Sequence, residues 1–259
     1  MNTYFKLFLF ANALCFGGNS WAVPIIPTGG SFTISTIYEG SGSSNGAAPL
    51  LTVGDTIEGI GFVNTILDAN NVVVWNNAPN DQLAVIFQAF TAVSISSPTA
   101  PIEIQFTGGM LDIYTTAASL KPTGHFTSDV ATIMGSQTGL FLSTVGAPTI
   151  FPNSLVTQDA FINAGNLFNI GAGSAQGFLN VRNGSQGGSQ AANIAKGAVQ
   201  GNDLSYASSF NSDTTNGYAA SGSLTLKSLA VTVPEPGSLA LLAIGVLGFA
   251  TSSRLRKKA

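Results

Sequence analysis

Apolar and polar residues alternate over short stretches through most of this chain, and the stretches are separated by turn-forming residues. Ser31–Tyr38 places Phe32, Ile34 and Tyr38 on one parity, broken at Thr36, which predicts a strand. Gly40–Pro49 is a Gly/Ser/Asn loop. Ile60–Leu67 and Val72–Trp75 flank Asp68-Ala69-Asn70-Asn71, a hairpin turn. Leu83–Ile95 is a longer apolar run that Pro98 ends, and it reads as a strand. Ile102, Ile104 and Phe106 alternate, Gly108-Gly109 supplies positive φ for a tight turn, and Leu111, Ile113 and Tyr114 return, predicting a second hairpin. Gly139–Val145, Gln176–Val181, Leu204–Phe210 and Tyr218–Val233 are further strands. Asn163–Ile170 suits a short helix or another strand, and Asn183–Gln190 reads as loop. Many short strands at regular spacing predict a mainly β, antiparallel domain, sandwich-like or barrel-like. The repeated helices of a doubly wound fold are missing from the pattern.

The two ends depart from this pattern. Lys6 precedes an apolar stretch from Leu7 to Phe16, and Ser20-Trp21-Ala22 puts small residues at −3 and −1 of a cleavage site before Val23. Residues 1–22 therefore read as a secretory signal peptide cut between Ala22 and Val23. At the other end, Pro234-Glu235-Pro236 is followed by 17 uncharged residues, Gly237–Ser253, and then by Arg254, Arg256, Lys257 and Lys258. As a single transmembrane helix that stretch spans roughly 25 Å, the lower limit for a bilayer. The basic end stays cytoplasmic by the positive-inside rule, in agreement with a signal peptide that places Val23 outside. The prolines hold Val233 and Glu235 extended, and the Glu235 charge resists entry into hydrocarbon. The chain thus divides into a signal peptide (1–22), a β-rich extracytoplasmic domain (23–233) and a C-terminal segment (234–259).

The C-terminal segment resembles the PEP-CTERM sorting signal of exopolysaccharide-producing Gram-negative bacteria. The resemblance implies recognition and cleavage by an exosortase, a membrane cysteine protease, with Pro234, Glu235 and Pro236 as signature and Arg254, Arg256, Lys257 and Lys258 as basic end. It also implies transient inner-membrane anchoring before transfer to the cell surface or extracellular matrix. Gly54–Gly61, Phe106–Gly109 and Gly201–Leu204 resemble segments of other exported proteins with this tail, some of them linked to flocculation or the matrix. They supply no binding residue.

Removing the ends changes the charge. Residues 23–233 keep four basic residues against eleven acidic ones, a net charge of −7. Such a domain does not neutralise a phosphate backbone, so nucleic acid is not an expected partner. The one cysteine, Cys15, lies in the signal peptide, so the mature domain has neither disulfide nor thiolate chemistry.

Candidate chemistry is sparse. His125, the single histidine, stands beside Ser128 and Asp129, but neighbours in sequence rarely make a triad and no G-x-S-x-G elbow is present. Asp55 and Glu58 would face opposite sides of a strand. Glu103 and Asp112 would oppose each other across the Gly108-Gly109 hairpin, as solvent-facing acids or a carboxylate pair. Calcium is the one cofactor to weigh, at Asp68-Ala69-Asn70-Asn71 or Asn80-Asp81, though Asp and Asn are also ordinary turn formers; the expectation is no cofactor. Gly171–Gly177 has the wrong spacing for a nucleotide fingerprint and reads as a flexible loop. Asn183-Gly184-Ser185 is a chance glycosylation sequon. Trp75 and Tyr114 suit either sugar stacking or core packing.

The expected function is that of an exported surface or matrix protein with a structural or adhesive role, not an enzyme, with an exosortase as processing partner. Exopolysaccharide or other surface proteins are the further partners. The alternatives are an exopolysaccharide-binding module and a secreted glycan hydrolase.

Overall fold

A computed structural model describes residues 26–27, 29–41, 52–77, 82–117, 120–147, 156–166, 169–197, 199, 201–212 and 217–228. The signal peptide with Ala22 and Val23, the Asn80-Asp81 turn and the whole C-terminal segment lie outside these residues. The described chain is one antiparallel sheet closed into an eight-stranded barrel with extra strands. Its strands are β1 (Ser31–Ser41), β2 (Thr56–Leu67), β3 (Val73–Asn76), β4 (Gln82–Ile95) and β5 (Ile102–Thr116). A helix, α1 (Phe126–Ser136), then precedes β6 (Gln137–Ala147), β7 (Gln158–Asn166), β8 (Asn169–Val181), β9 (Leu204–Ser212) and β10 (Ala220–Lys227). Closure comes from β1, which pairs with β10 on one side and with β2 on the other. Of the two architectures the sequence allowed, the barrel is the one formed, and it leaves no open edge along the closed ladder.

The Asp68–Asn71 hairpin forms as expected. Asp68 Oδ1 accepts from the Asn70 and Val72 amides, and Asn71 takes φ 61°. Those contacts commit the Asp68 carboxylate to the turn.

The second hairpin does not form. Ile102–Thr116 is one continuous strand, β5, and Gly108 (φ +71°) and Gly109 (φ +94°) bend it instead of reversing it. Ala89 (φ 62°), level with Gly109 on β4, bends with it, and β4–β5 pairing continues on both sides of the bend. Positive φ at two glycines serves a kink in a coiled strand as readily as a turn, and only the partner strand selects between them. At this kink β5 changes neighbours. Met110–Thr116 pairs with β6, and Ile102–Phe106 pairs with β7. β6 and β7 run in the same direction and share one strand position between β5 and β8. Thr157 fastens the junction, donating its amide to Phe106 O (2.7 Å) and its hydroxyl to Gly108 O (2.8 Å).

Gly171–Gly177 also departs from expectation. It lies within β8 and is not a flexible loop. Its inward residues are small because rings from β9 lie across them. A Cβ on Gly173 would stand 2.2 Å from Phe210 Cζ, and one on Gly177 would stand 2.7 Å from the Tyr206 ring. Glycine under an aromatic lets large and small residues fill a narrow barrel together. Within Asn163–Ile170 the described residues are strand, with residues 163–166 ending β7 and residues 169–170 beginning β8. Asn183–Gln190 is irregular, with a short 3₁₀ turn at Gly184–Gly187.

At the end where β1 begins, Ile26 and Ile194 complete an apolar interior in which Phe32 and Phe141 meet edge-on at 6.2 Å. Gln190 Oε1 accepts from the Ile26 amide (2.9 Å) and from Asn193 Nδ2 (2.8 Å). Lys196 bridges Asp203 at 3.0 Å and donates to Val181 O, fixing the connection from β8 to β9. Fully burying such Ile and Phe side chains contributes roughly 1.5–3 kcal/mol each.

Helix α1 was not anticipated from the sequence. Its Thr, Val and Ile content is poor for helix, and its N-cap residue, His125, makes no side-chain cap. The surviving signal is the spacing Phe126, Asp129, Val130, Ile133, one helical face. That face covers a second apolar cluster on the barrel exterior, built with Ile60, Ile86 and Tyr218.

Candidate functional site

A bulge in β1 creates the candidate site. Ser35 is the extra residue, and its amide bonds to Asn64 Oδ1 at 2.8 Å. The β1–β2 register shifts between Thr33 and Ile34 and again between Ile34 and Thr36. The alternation therefore changes phase. Phe32 and Ile34 point inward before the bulge, and Ile37 and Glu39 do so after it, while Tyr38 turns outward to meet Tyr218 at 5.7 Å. The sequence pattern had put Tyr38 with Phe32 and Ile34. The bulge reverses that and carries a carboxylate into the barrel.

Glu39 sits between Gly59 of β2 and Ala220 of β10, so small residues flank it on both sides. The cavity it faces has apolar walls from Ile37, Ile57, Phe87, Phe90, Leu111 and Leu224. Gln158, Tyr206 and Ser208 are its other polar residues. The cavity volume is about 30 Å³, in about 360 Å³ of atom-free space that includes open solvent. That is room for about two waters.

Tyr206 donates its hydroxyl to Gln158 Oε1 at 2.7 Å. This bond takes one lone pair of the amide oxygen and orients the Gln158 amide. Burial pushes the Glu39 carboxyl up to about 7, and no basic residue lines the cavity to oppose that. Burial first, then the charges of Glu39 and Asp159, pushes the Tyr206 phenol well above its ordinary value, so it remains a neutral donor. The cavity thus presents a carboxyl group that titrates near neutrality beside an amide donor and a hydroxyl.

The residues weighed from the sequence do not converge on this cavity. His125 is exposed, while Asp129 is buried and accepts from the Thr123 amide (2.8 Å), Thr123 Oγ1 (2.7 Å) and Tyr218 OH (2.7 Å). Asp129 anchors α1 to the barrel, and no triad forms with Ser128. Asp55 closes a turn by accepting from Thr52 N and Oγ1, both at 2.8 Å. Glu58 lies on the barrel exterior, where burial raises its carboxyl. Glu103 and Asp112 do not face each other, since both lie on β5. Asp112 accepts from Ser143, and Gln105 donates to Glu103 at 3.2 Å. Trp75 packs against the interior cluster and Tyr114 against the exterior one. Among the described residues no three His, Cys, Asp or Glu side chains group as metal ligands. Asn183-Gly184-Ser185 enters the 3₁₀ turn.

Glu39, Gln158, Tyr206 and Ser208 belong to no sequence motif. The one local signal was the interruption of alternation at Thr36, which marks the bulge. Their meeting depends on barrel closure, which brings β1, β7 and β9 around one space.

Comparison with known proteins adds a separate finding. Residues 232–257 match the model of the PEP-CTERM protein-sorting motif. No curated protein matches the chain. A solved structure of a nonspecific heme-binding cyclase of neoabyssomicin biosynthesis aligns at 12% identity, over 83% of this chain and 72% of that one, with a TM-score of 0.22. At that score the likeness bears on neither fold nor function. The motif covers Pro234, Glu235, Pro236, Arg254, Arg256 and Lys257, and with it the chain is identified as carrying a PEP-CTERM sorting signal, the mark of an exported protein that is anchored by its C-terminus and processed by an exosortase.

Proposed function

We propose that this chain is a structural or adhesive protein of the cell surface or extracellular matrix, delivered there by exosortase processing and without enzymatic activity of its own. The sorting motif at residues 232–257 carries this reading. The described domain supports it: a closed barrel without cysteine holds its fold by core packing and backbone pairing, and so does not depend on a disulfide in an oxidising environment. Two rivals lose their best residues. Trp75 and Tyr114 are engaged in packing, so the sugar-stacking platform lacks its aromatics. Glu103 and Asp112 share a strand, so the carboxylate pair of a glycan hydrolase is not assembled from them.

The test follows the tail. Glu235→Leu removes the charge that holds the Pro-Glu-Pro segment outside the hydrocarbon. Mass spectrometry and fractionation should find the wild type trimmed and released only in a host with its exosortase, and the variant retained in the inner membrane at full length. Deleting the chain should reduce cell-cell aggregation or matrix retention, and re-expression should restore it. An untrimmed wild type in the exosortase-positive host would sink the delivery reading; unchanged aggregation in the deletion strain would sink the adhesive one.

A further inference from the structure

Glu39 is a carboxyl group placed in an apolar cavity with no basic residue lining it among the described residues, in a domain carrying net −7. We propose that the barrel cavity is a binding site for a very small organic cation, a primary amine of the methylammonium class, whose ammonium group pairs with Glu39. This goes beyond the surface role proposed above and does not depend on it.

The geometry supports an amine in three ways. First, the cavity offers acceptors to a cationic donor. The Glu39 carboxylate accepts, Ser208 can accept through its hydroxyl, and the Tyr206–Gln158 bond fixes those two side chains in place. Second, the walls suit an alkyl body. Phe87 and Phe90 of β4, Leu111 of β5 and Leu224 of β10 present only carbon. A volume with room for about two waters limits that body to about one carbon atom beside the ammonium group. Third, the electrostatics select the sign. From β2 the residues facing Glu39 are Gly59 and Ile57, from β10 Ala220, from β4 Phe87 and Phe90, and from β9 the neutral phenol of Tyr206. None is basic, so a carboxylate ligand meets repulsion, and an ammonium ligand supplies the missing partner. The acidic surface of the domain draws cations toward it.

Pairing with a cation lowers the carboxyl that burial has raised, so binding below neutrality displaces a proton from Glu39. This gives the wild type a signature of its own. The experiment uses the full chain in a non-ionic detergent, titrated calorimetrically with methylammonium, methanol and formate against detergent blanks. At pH 8.5 methylammonium should bind at least tenfold more tightly than methanol, and formate should not bind. At pH 6, titrations in buffers of different ionisation enthalpy should show release of close to one proton per methylammonium bound. Glu39→Gln should abolish the preference for methylammonium over methanol. The proposal is overturned if methylammonium fails to bind, if it binds no better than methanol, or if no proton is released at pH 6. The last measurement needs only the wild type and holds even if Glu39→Gln does not fold.

Discussion

The hydroxyl of Tyr206 on β9 donates to Gln158 Oε1 on β7 at 2.7 Å, across a β8 strand whose Gly177 lies opposite both residues. Gly177 makes this possible, because any side chain there would occupy the space of the Tyr206 ring. The bond spans a strand without passing through its backbone, and it holds one wall of the cavity in place.

Tyr206→Phe should therefore leave a buried amide oxygen without its donor. The expected loss is about 1–3 kcal/mol, read as a lower urea midpoint at unchanged slope. Combining it with Gln158→Leu should cost less than the sum of the two single changes, since the pair acts together. Strict additivity would show that the hydroxyl and the amide are energetically independent.

Glu39 makes stability depend on pH in an unusual direction. Its carboxyl lies near 7 in the fold against 4.5 for an ordinary glutamate, so between about 4.5 and 7 the native state holds a proton that the unfolded chain has released. Stability conferred by this group is present at low pH and is lost as pH rises through that window. Thermal melts of Glu39→Gln should lack this slope, and the variant should melt higher than wild type at pH 8. A wild type whose stability rises from pH 5 to pH 7 to the same extent as the variant's would contradict the burial of this carboxyl.

Asp129 and His125 should separate sharply. Asp129→Ala removes the acceptor for Thr123 and Tyr218 and loosens α1 from Ile60 and Ile86, at an expected cost of about 2–4 kcal/mol. His125→Ala, at an exposed position, should stay within about 0.5 kcal/mol of wild type. Melting both variants side by side distinguishes a structural acid from a catalytic pair. Equal, small effects would mean that the helix is not anchored by this network.

Gly59→Ala should be poorly tolerated although Gly59 has ordinary negative φ. The new methyl would lie 2.0 Å from Tyr38 O and 2.3 Å from Phe87 Cζ, and backbone cannot retreat from it. Overpacking of this kind costs about 1–3 kcal/mol, occasionally more. At Gly54, where a methyl meets nothing within 4 Å, the cost should come from its φ of +100° alone. Denaturant curves of the two variants compare crowding with backbone strain, and an unperturbed Gly59→Ala would refute the close packing of Phe87.

Local information in the sequence was enough for several elements. Alternation in Phe32–Ile34 and Leu224–Leu226, the apolar run of Leu83–Ile95 and the Asp68–Asn71 turn each follow from interactions within a few residues, and each is present as read. The sorting signal was legible for the same reason, since proline geometry, an apolar run and a basic end are all local properties. Elements that depend on a distant partner were not legible. Gly108-Gly109 has the residues of a hairpin, yet β4 continues past it and β7 pairs beyond it, so the strand bends where it would otherwise reverse. Gly171–Gly177 reads as a loop until Tyr206 and Phe210 are laid across it. The fate of Glu39 was decided at Ser35, where one extra residue anchored by Asn64 exchanged the two faces of β1. A strand's periodicity of two specifies that neighbours point apart, but which face is inside is set by register against partner strands, and register is a property of the closed barrel.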